Sequence, residues 1–241
     1  MAKKAVRGRG GPGRGFWIAA GIIVVVGLAA LGWQASRPKM TSRTIDPTLP
    51  KLKAEGYVLG SATAPVEVVE FADFECPSCG QFATVTEPDV RTQLVNTGKV
   101  RVRFLDYPLA MHKNTWDASL AAACANEQGK FWQMHDQIFA NQDKWNGEAT
   151  SRPRGPLGDI AKSIGLDMTR YNACMDKETY RAQIQANLQE GERRQVNQTP
   201  TFVIGDKLVP GALPYDAFKK LVDDVLAKAP SAPAESGKKA K

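Results

Sequence analysis

Two of the four cysteines stand as Cys76-Pro77-Ser78-Cys79, a spacing with two chemical uses. As zinc ligands they would need two further donors in register, a second CxxC or a histidine pair. Cys124 and Cys174 stand alone, and His112 and His135 are far from both in sequence, so no metal is expected. As a redox dithiol, the pair needs one accessible thiolate and one shielded partner within reach. The first turn of a helix supplies both: Cys76 would meet unpaired N–H groups and the positive dipole end, while Cys79 lies one turn further in.

The surrounding elements have to place that turn. Val66 to Phe74 is β-branched and aromatic between Pro65 and the CxxC and reads as a buried strand. A helix is predicted from Cys76 to about Asn96, with Pro77 tolerated in its first turn and Pro88 producing a kink or break. Val100 to Tyr107 alternates apolar and polar residues as a second strand, and strand, helix, strand of this length implies a parallel crossover. From about Lys113 to Val196 the pattern is helical, with a Gly/Pro-rich break near Arg152–Gly158. Thr201–Ile204 and Lys207–Val209 flank Gly205-Asp206 as a hairpin, and an amphipathic helix runs from Tyr215 to Leu226.

Other residues carry two readings each. Glu70, six positions before Cys76, is either a buried acid of raised pKa able to exchange a proton with Cys79, or an outward-facing strand residue without a role. Cys124 and Cys174, 50 positions apart in the helical block, are either a structural disulfide worth about 4 kcal/mol in the loop-entropy model or two unrelated buried thiols; a second catalytic pair is disfavoured by their separation. His112, His135, Trp116, Trp132 and Phe131 fall at helical spacing and read as packing residues.

The stretch LGSATAPVEVVEFADFECPSCGQF, with CANEQGKFWQMHDQIF and QTPTFVIGDKLVPGALPYDAF, resembles the DsbA-like branch of the thioredoxin superfamily from Tyr57 to Leu226. The resemblance implies an α/β thioredoxin-like fold with a helical insertion at about 111–196, and thiol–disulfide exchange outside the cytoplasm without a cofactor. It implies that Thr199-Pro200 is a cis-proline element facing the dithiol and, with Pro77 and Ser78, contacts substrate, and that Glu70 is the buried acid beneath the active site. It also implies reduced extracytoplasmic proteins as substrates and a quinone-linked membrane thiol oxidase as the reoxidising partner. Some family members place a histidine where this chain has Ser78, so the oxidising strength is open. A reductase or isomerase kept reduced by a membrane donor, and a non-catalytic tethered peptide-binding chaperone, are the alternatives; the intact CPSC counts against the second.

Composition and the chain ends address location. The chain has 241 residues, a formal charge of +7 and 43% hydrophobic content, which excludes wholesale disorder and a disulfide-packed miniprotein. The excess charge sits at the ends, in Lys3, Lys4, Arg7, Arg9 and Arg14 and in Lys238, Lys239 and Lys241 against Glu235. The neutral middle offers no nucleic-acid surface. Phe16 to Trp33 is an uncharged apolar run of 18 residues, roughly 27 Å as a helix, with tryptophans at both ends and basic residues before it. It reads as an uncleaved transmembrane signal anchor, N-terminus cytoplasmic and catalytic domain outside. A cleaved signal peptide lacks small residues at the right places, and a buried core helix does not fit the flanking charges. The expected layout is a basic segment 1–15, anchor 16–33, extended linker 34–56, thioredoxin-like domain 57–228 and disordered tail 229–241.

Overall fold

In a computed structural model, residues 53–228 are described, together with residue 27 and residues 43–44. Packing divides the chain into Met1–Met40 and Thr41–Lys241, and the second unit holds the fold. Among the described residues no helix is long and apolar enough to cross a membrane. Apart from Gly27, the apolar run expected to be an anchor lies outside them, as does the tail from Ala229.

The fold is built on β3, Val66–Ala72, which runs parallel to β4, Val100–Asp106, and antiparallel to β5, Thr201–Ile204. The hairpin partner β6, Lys207–Pro210, extends the sheet on one side and β2, Tyr57–Leu59, closes it on the other, giving the order β1-β6-β5-β3-β4-β2. The outermost β1, Arg43–Thr44, pairs with Leu208 and Lys207. Part of the segment expected to be a free linker is therefore sheet edge. Its end is packed as well: Ala54 lies against the apolar cluster that contains Val69, Leu105 and Val203. The short β1 and β2 carry too few residues to show a period of two, which is why the pattern missed them.

Strand β3 is apolar on both faces because both are covered. Val66 and Val68 cluster with Phe82, Val90 and Leu94 of helix α1, residues 77–95, and Phe218 and Val222 of α8, Tyr215–Leu226, while Val69 and Phe71 cluster with Leu105, Tyr107 and Val196 on the reverse. Glu70 has the parity of Val66 and Val68 and so faces α1. Burial of apolar side chains on both faces, at about 25 cal/mol per Å², is the main stabilising term.

Helix α1 starts at Pro77–Gln81 and continues through a π turn at Phe82–Thr86, an α turn at Glu87–Val90 and a second π turn at Arg91–Val95. Of the kink or break expected at Pro88, the break does not occur: the helix runs on, its α form giving way to π turns on either side. A proline lacks the N–H for an i−4 bond and crowds that carbonyl; the π turn just before it widens the backbone and removes the demand. Thr84 and Thr92 donate their hydroxyls to the carbonyls of Gly80 and Pro88.

Between β4 and β5 lie α2 Thr115–Asn126, α3 Phe131–Ala140, α4 Gln142–Trp145, α5 Arg154–Ser163, α6 Met168–Asp176 and α7 Arg181–Arg193. Alanines 118, 121, 122, 123 and 125 of α2 are all buried, since small side chains let the neighbouring helices approach on every side. Cys124 of α2 and Cys174 of α6 are disulfide-bonded, with Cα atoms 5.8 Å apart. Gly191 of α7 is a necessity of close approach: a Cβ there would sit 2.5 Å from the Tyr107 ring, whose hydroxyl donates to Val196 O at 2.6 Å. Gly205, at φ +61°, makes the β5–β6 turn that an L side chain would strain.

Asp106 ends β4 fully buried, with Oδ2 accepting from Asn187 Nδ2 at 3.1 Å and Oδ1 without a partner. Burial pushes its pKa up to about 6, against the opposing hydrogen bonds from Asn187 and Ser119. Because the folded value exceeds the unfolded one of about 3.9, the stability this acid contributes is complete below pH 4 and lost as pH rises through 6, a penalty of about 3 kcal/mol at most. Asp106→Asn should therefore melt higher than wild type at pH 8, with the advantage shrinking toward pH 4. Thermal denaturation followed by circular dichroism across that range checks it; a constant difference would show that Asp106 is not the titrating group.

Candidate active site

The β3–α1 junction turns on Asp73, whose carboxyl is fully buried. Oδ1 accepts from Glu75 N at 2.7 Å and Thr115 Oγ1 at 2.5 Å, and Oδ2 accepts from Leu109 N at 2.8 Å and His112 Nδ1 at 2.7 Å. One carboxyl thus ties together the strand exit, the loop after β4 and the start of α2. Cys76 N donates to Asp73 O at 3.1 Å, and Gln142 Nε2 clamps the same turn through Phe74 O and Cys76 O at 2.6 and 3.0 Å.

Cys76 is the N-cap of α1, in extended conformation, with Pro77 at the first helical position where no N–H is needed. Pro77 and Ser78 are exposed. Thr199-Pro200 is a cis peptide, and the Cys76 thiol donates to Thr199 O at 3.4 Å across 123 positions of sequence. The Cys76 and Cys79 thiols are both free. The Cys76 pKa is pushed down to about 6, chiefly by a hydrogen bond from Cys79, against partial burial, and further by the Thr199 side chain and the backbone N–H groups of Cys79 and Ser78. The Thr199 hydroxyl is buried with no partner in the thiol form; the Cys76 thiolate is the acceptor it lacks. Cys79, one turn in and fully buried, has its pKa driven well up by burial first and by the Cys76 charge, with Glu70 adding to the rise.

Glu70 is 2% exposed, so it does not face outward. Its pKa stands well above the carboxylate range, because of burial first and then the charge of Glu87, with Arg91 opposing. His112 was read from sequence as a packing residue and is placed otherwise. It lies in the loop after β4, pinned by Asp73, and its pKa is raised by that hydrogen bond first and also by the charges of Cys76 and Glu75. No periodic signal marks such a loop residue; the signal available was the absence of a histidine between the cysteines. His135, Phe131 and Trp132 do pack, His135 lying edge-on to Phe74, Phe104 and Phe139. Cys124 and Cys174 are held apart from this site, in α2 and α6. Among the described residues no group of three or more His, Cys, Asp or Glu side chains could hold a metal ion.

A thioredoxin family model matches residues 53–224. Disulfide bond formation protein D of Bacillus subtilis is 31% identical over 185 residues, covering 73% of this chain and 79% of that protein. The chain belongs to the DsbA-like branch of the thioredoxin superfamily. The crystal structure of oxidised BdbD from Bacillus subtilis matches this DsbA-like chain at a TM-score of 0.63 and 27% identity, over 73% of this chain and 98% of that one. A Na(+)/H(+) antiporter, NhaA 3 of Salinispora tropica, is 34% identical over 186 residues, which are 77% of this chain and 27% of the antiporter. The DsbA-like chain thus spans a minor part of that relative's length.

If the thiol of Cys76 owes its acidity to these donors, its thiolate absorbance at 240 nm should titrate near pH 6 in the DsbA-like chain. Thr199→Val should move the midpoint up by about one unit, the worth of one hydrogen bond to a charged group, and His112→Gln should move it the same way by removing a positive charge. Midpoints unchanged in both variants would leave the helix N-terminus and Cys79 as the whole cause.

Proposed function

We propose that this chain is an extracytoplasmic thiol:disulfide oxidoreductase, tethered by its N-terminal apolar run, that donates the Cys76–Cys79 disulfide to folding proteins. The observation that carries this reading is the opposite treatment of two thiols one helical turn apart, Cys76 acidic with a pKa of about 6 and Cys79 buried and held neutral. At pH 7 about nine in ten Cys76 groups would be ionised. Stabilising that thiolate stabilises the dithiol form, which makes the disulfide the better oxidant, and a low pKa makes Cys76 the better leaving group.

In the forward reaction a substrate thiolate attacks Cys76 Sγ of the disulfide. The S–S bond breaks with its electron pair on Cys79, which takes up a proton in its buried site. The substrate's second thiolate then attacks its own sulfur in the mixed disulfide, forming the substrate disulfide and releasing Cys76 as thiolate. Exposed Pro77 and Ser78 and the Thr199-Pro200 backbone flank Cys76 Sγ and would receive an extended substrate chain, with Thr199 and His112 holding the departing negative charge. Glu70 would serve as proton donor and acceptor for Cys79. The Cys124–Cys174 bond, between two helices of the insertion, would be structural. Reoxidation would fall to a membrane-embedded, quinone-linked thiol oxidase, and the segments 1–15, 16–33 and 34–56 would act as cytoplasmic flank, anchor and spacer to the domain 57–228.

With Cys79→Ala preloaded as the Cys76–glutathione mixed disulfide, an unfolded peptide carrying a single thiol should displace glutathione and accumulate as a stable mixed disulfide on Cys76, visible on non-reducing gels, whereas Cys76→Ala treated alike should trap little or nothing. Equal trapping by both variants would remove the basis for Cys76 as the attacked sulfur. Net reduction of the disulfides of native ribonuclease by the wild-type chain in glutathione buffer would reverse the proposed direction. Intact-mass measurement on protein extracted from membranes should retain residues 1–35; a mature N-terminus near Ser36 would refute the tether.

A further inference from the structure

The oxidoreductase reading leaves one step without a route. Cys79 must lose a proton when the disulfide re-forms, and it has no access to water. Behind it, three polar atoms are buried without a hydrogen-bond partner: Glu70 Oε2, Glu87 Oε2 and His135 Nε2. They belong to three elements, β3, α1 and α3. A buried polar atom left unpaired costs roughly 1–3 kcal/mol, so three in one cluster call for an explanation.

Their surroundings point in one direction. Glu87 Oε1 is fixed by Arg91, at 3.0 Å from Nε, leaving Oε2 turned to His135 Nε2 at 3.9 Å. His135 Nδ1 lies 2.8 Å from Asp136 Oδ1 and 3.4 Å from Arg91 Nη2; the shorter, carboxylate contact assigns the ring proton to Nδ1 and leaves the Nε2 lone pair toward Glu87. Arg91 grips Asp136 through both carboxyl oxygens at 2.8 and 2.7 Å and stacks on Trp132 at 5.1 Å. Asp136 is 45% exposed and lines, with Arg91, Ala83, Pro88, Thr92 and Gln137, a surface cavity of about 450 Å³. Aromatic rings enclose His135 on its remaining sides.

We propose that Glu70, Glu87, His135 and Asp136 form a proton relay joining buried Cys79 to the cavity beside Arg91, resting on the exchange function above. In the resting dithiol form Glu70 holds a proton and cannot act as base. That proton passes to Glu87 Oε2 and on to His135 Nε2, while Nδ1–H is released to Asp136 and from its exposed edge to water. Emptied, Glu70 takes the Cys79 proton. The Cys79 thiolate then attacks Cys76 Sγ in its mixed disulfide with the oxidant, one S–S bond forming as the other breaks, and the oxidant's sulfur leaves as thiolate. Arg91 keeps Glu87 and Asp136 oriented and tempers the second negative charge beside Glu70. Glu87, His135 and Asp136 are positioning and relay residues, since none touches the reacting sulfurs.

The test mixes the reduced full chain in detergent with excess oxidised glutathione, which forms a mixed disulfide on Cys76; the attack of Cys79 then releases glutathione, followed by acid quench and mass spectrometry from pH 5 to 8. Glu87→Gln and His135→Gln should slow that release about a hundredfold at pH 6, the low end of general acid–base effects. The deficit should narrow toward pH 8, where solvent base is abundant. The solvent deuterium isotope effect should rise, the Cys76 absorbance titration should not move, and Glu87→Asp should recover most of the rate. Variants matching wild type in rate and pH profile would overturn the relay alone. So would a deficit equal at every pH and not recovered by Glu87→Asp, which marks a packing defect. Wild type that releases no glutathione would overturn the exchange function and the relay with it.

Discussion

One buried carboxyl, Asp73, sets the geometry on which the rest depends. It sits where β3 ends and α1 begins, and its two oxygens satisfy donors from its own turn, from the loop after β4 and from the first residue of α2. A strand-to-helix turn leaves backbone groups without partners, and burying them unpaired would cost more than this small domain can lose. By meeting them with one group, the protein holds the N-terminus of α1 rigid, and it does so with a side chain that also brings His112 to the thiol. The acidity of Cys76 is then a property of fixed geometry, since the Cys79 thiol, Thr199 and the helix-end N–H groups are all delivered by elements packed at that turn.

The helical insertion also braces the site. Residues of α3 and α4 reach back to the core layer: Gln142 clamps the CxxC turn, Trp145 is fully buried with Nε1 donating to Ile138 O at 2.9 Å, and His135 stands within the aromatic cluster over β4. The disulfide between α2 and α6 closes a 50-residue separation within the same insertion. An insertion so tied shields Cys79 from water, which raises its pKa and keeps it a thiol until a base reaches it. Shielding of this kind creates the problem that the buried Glu70, Glu87 and His135 cluster answers.

Much of this was legible in the sequence, and the reason is locality. The CxxC after an apolar run, the alternation in Val100–Asp106, the Gly205-Asp206 hairpin and the amphipathic Tyr215–Leu226 are patterns within one element, set by the fixed periods of strand and helix. The family resemblance marked Glu70 and Thr199-Pro200, and the structure gives them places: Glu70 buried facing α1, Thr199 against Cys76. Short elements escaped, since Arg43–Thr44 and Tyr57–Leu59 are too brief to carry a period. Pro88 allowed a kink or a break by its pattern, and the backbone around it decides: with π turns on either side the helix runs on without a break.

By itself, then, the sequence determined which residues can do redox chemistry and the order of elements that carries them, because both are written in neighbouring residues. Only the tertiary structure decided which way Glu70 points, that His112 reaches Asp73 from 39 positions away, that the Thr199 hydroxyl is buried without a hydrogen-bond partner, and that Glu87, Arg91, His135 and Asp136 form one cluster from two helices 45 positions apart. Those are matters of burial and distance between groups far apart in the chain. Charge and acidity follow from such proximity, and no pattern along a single strand or helix encodes it.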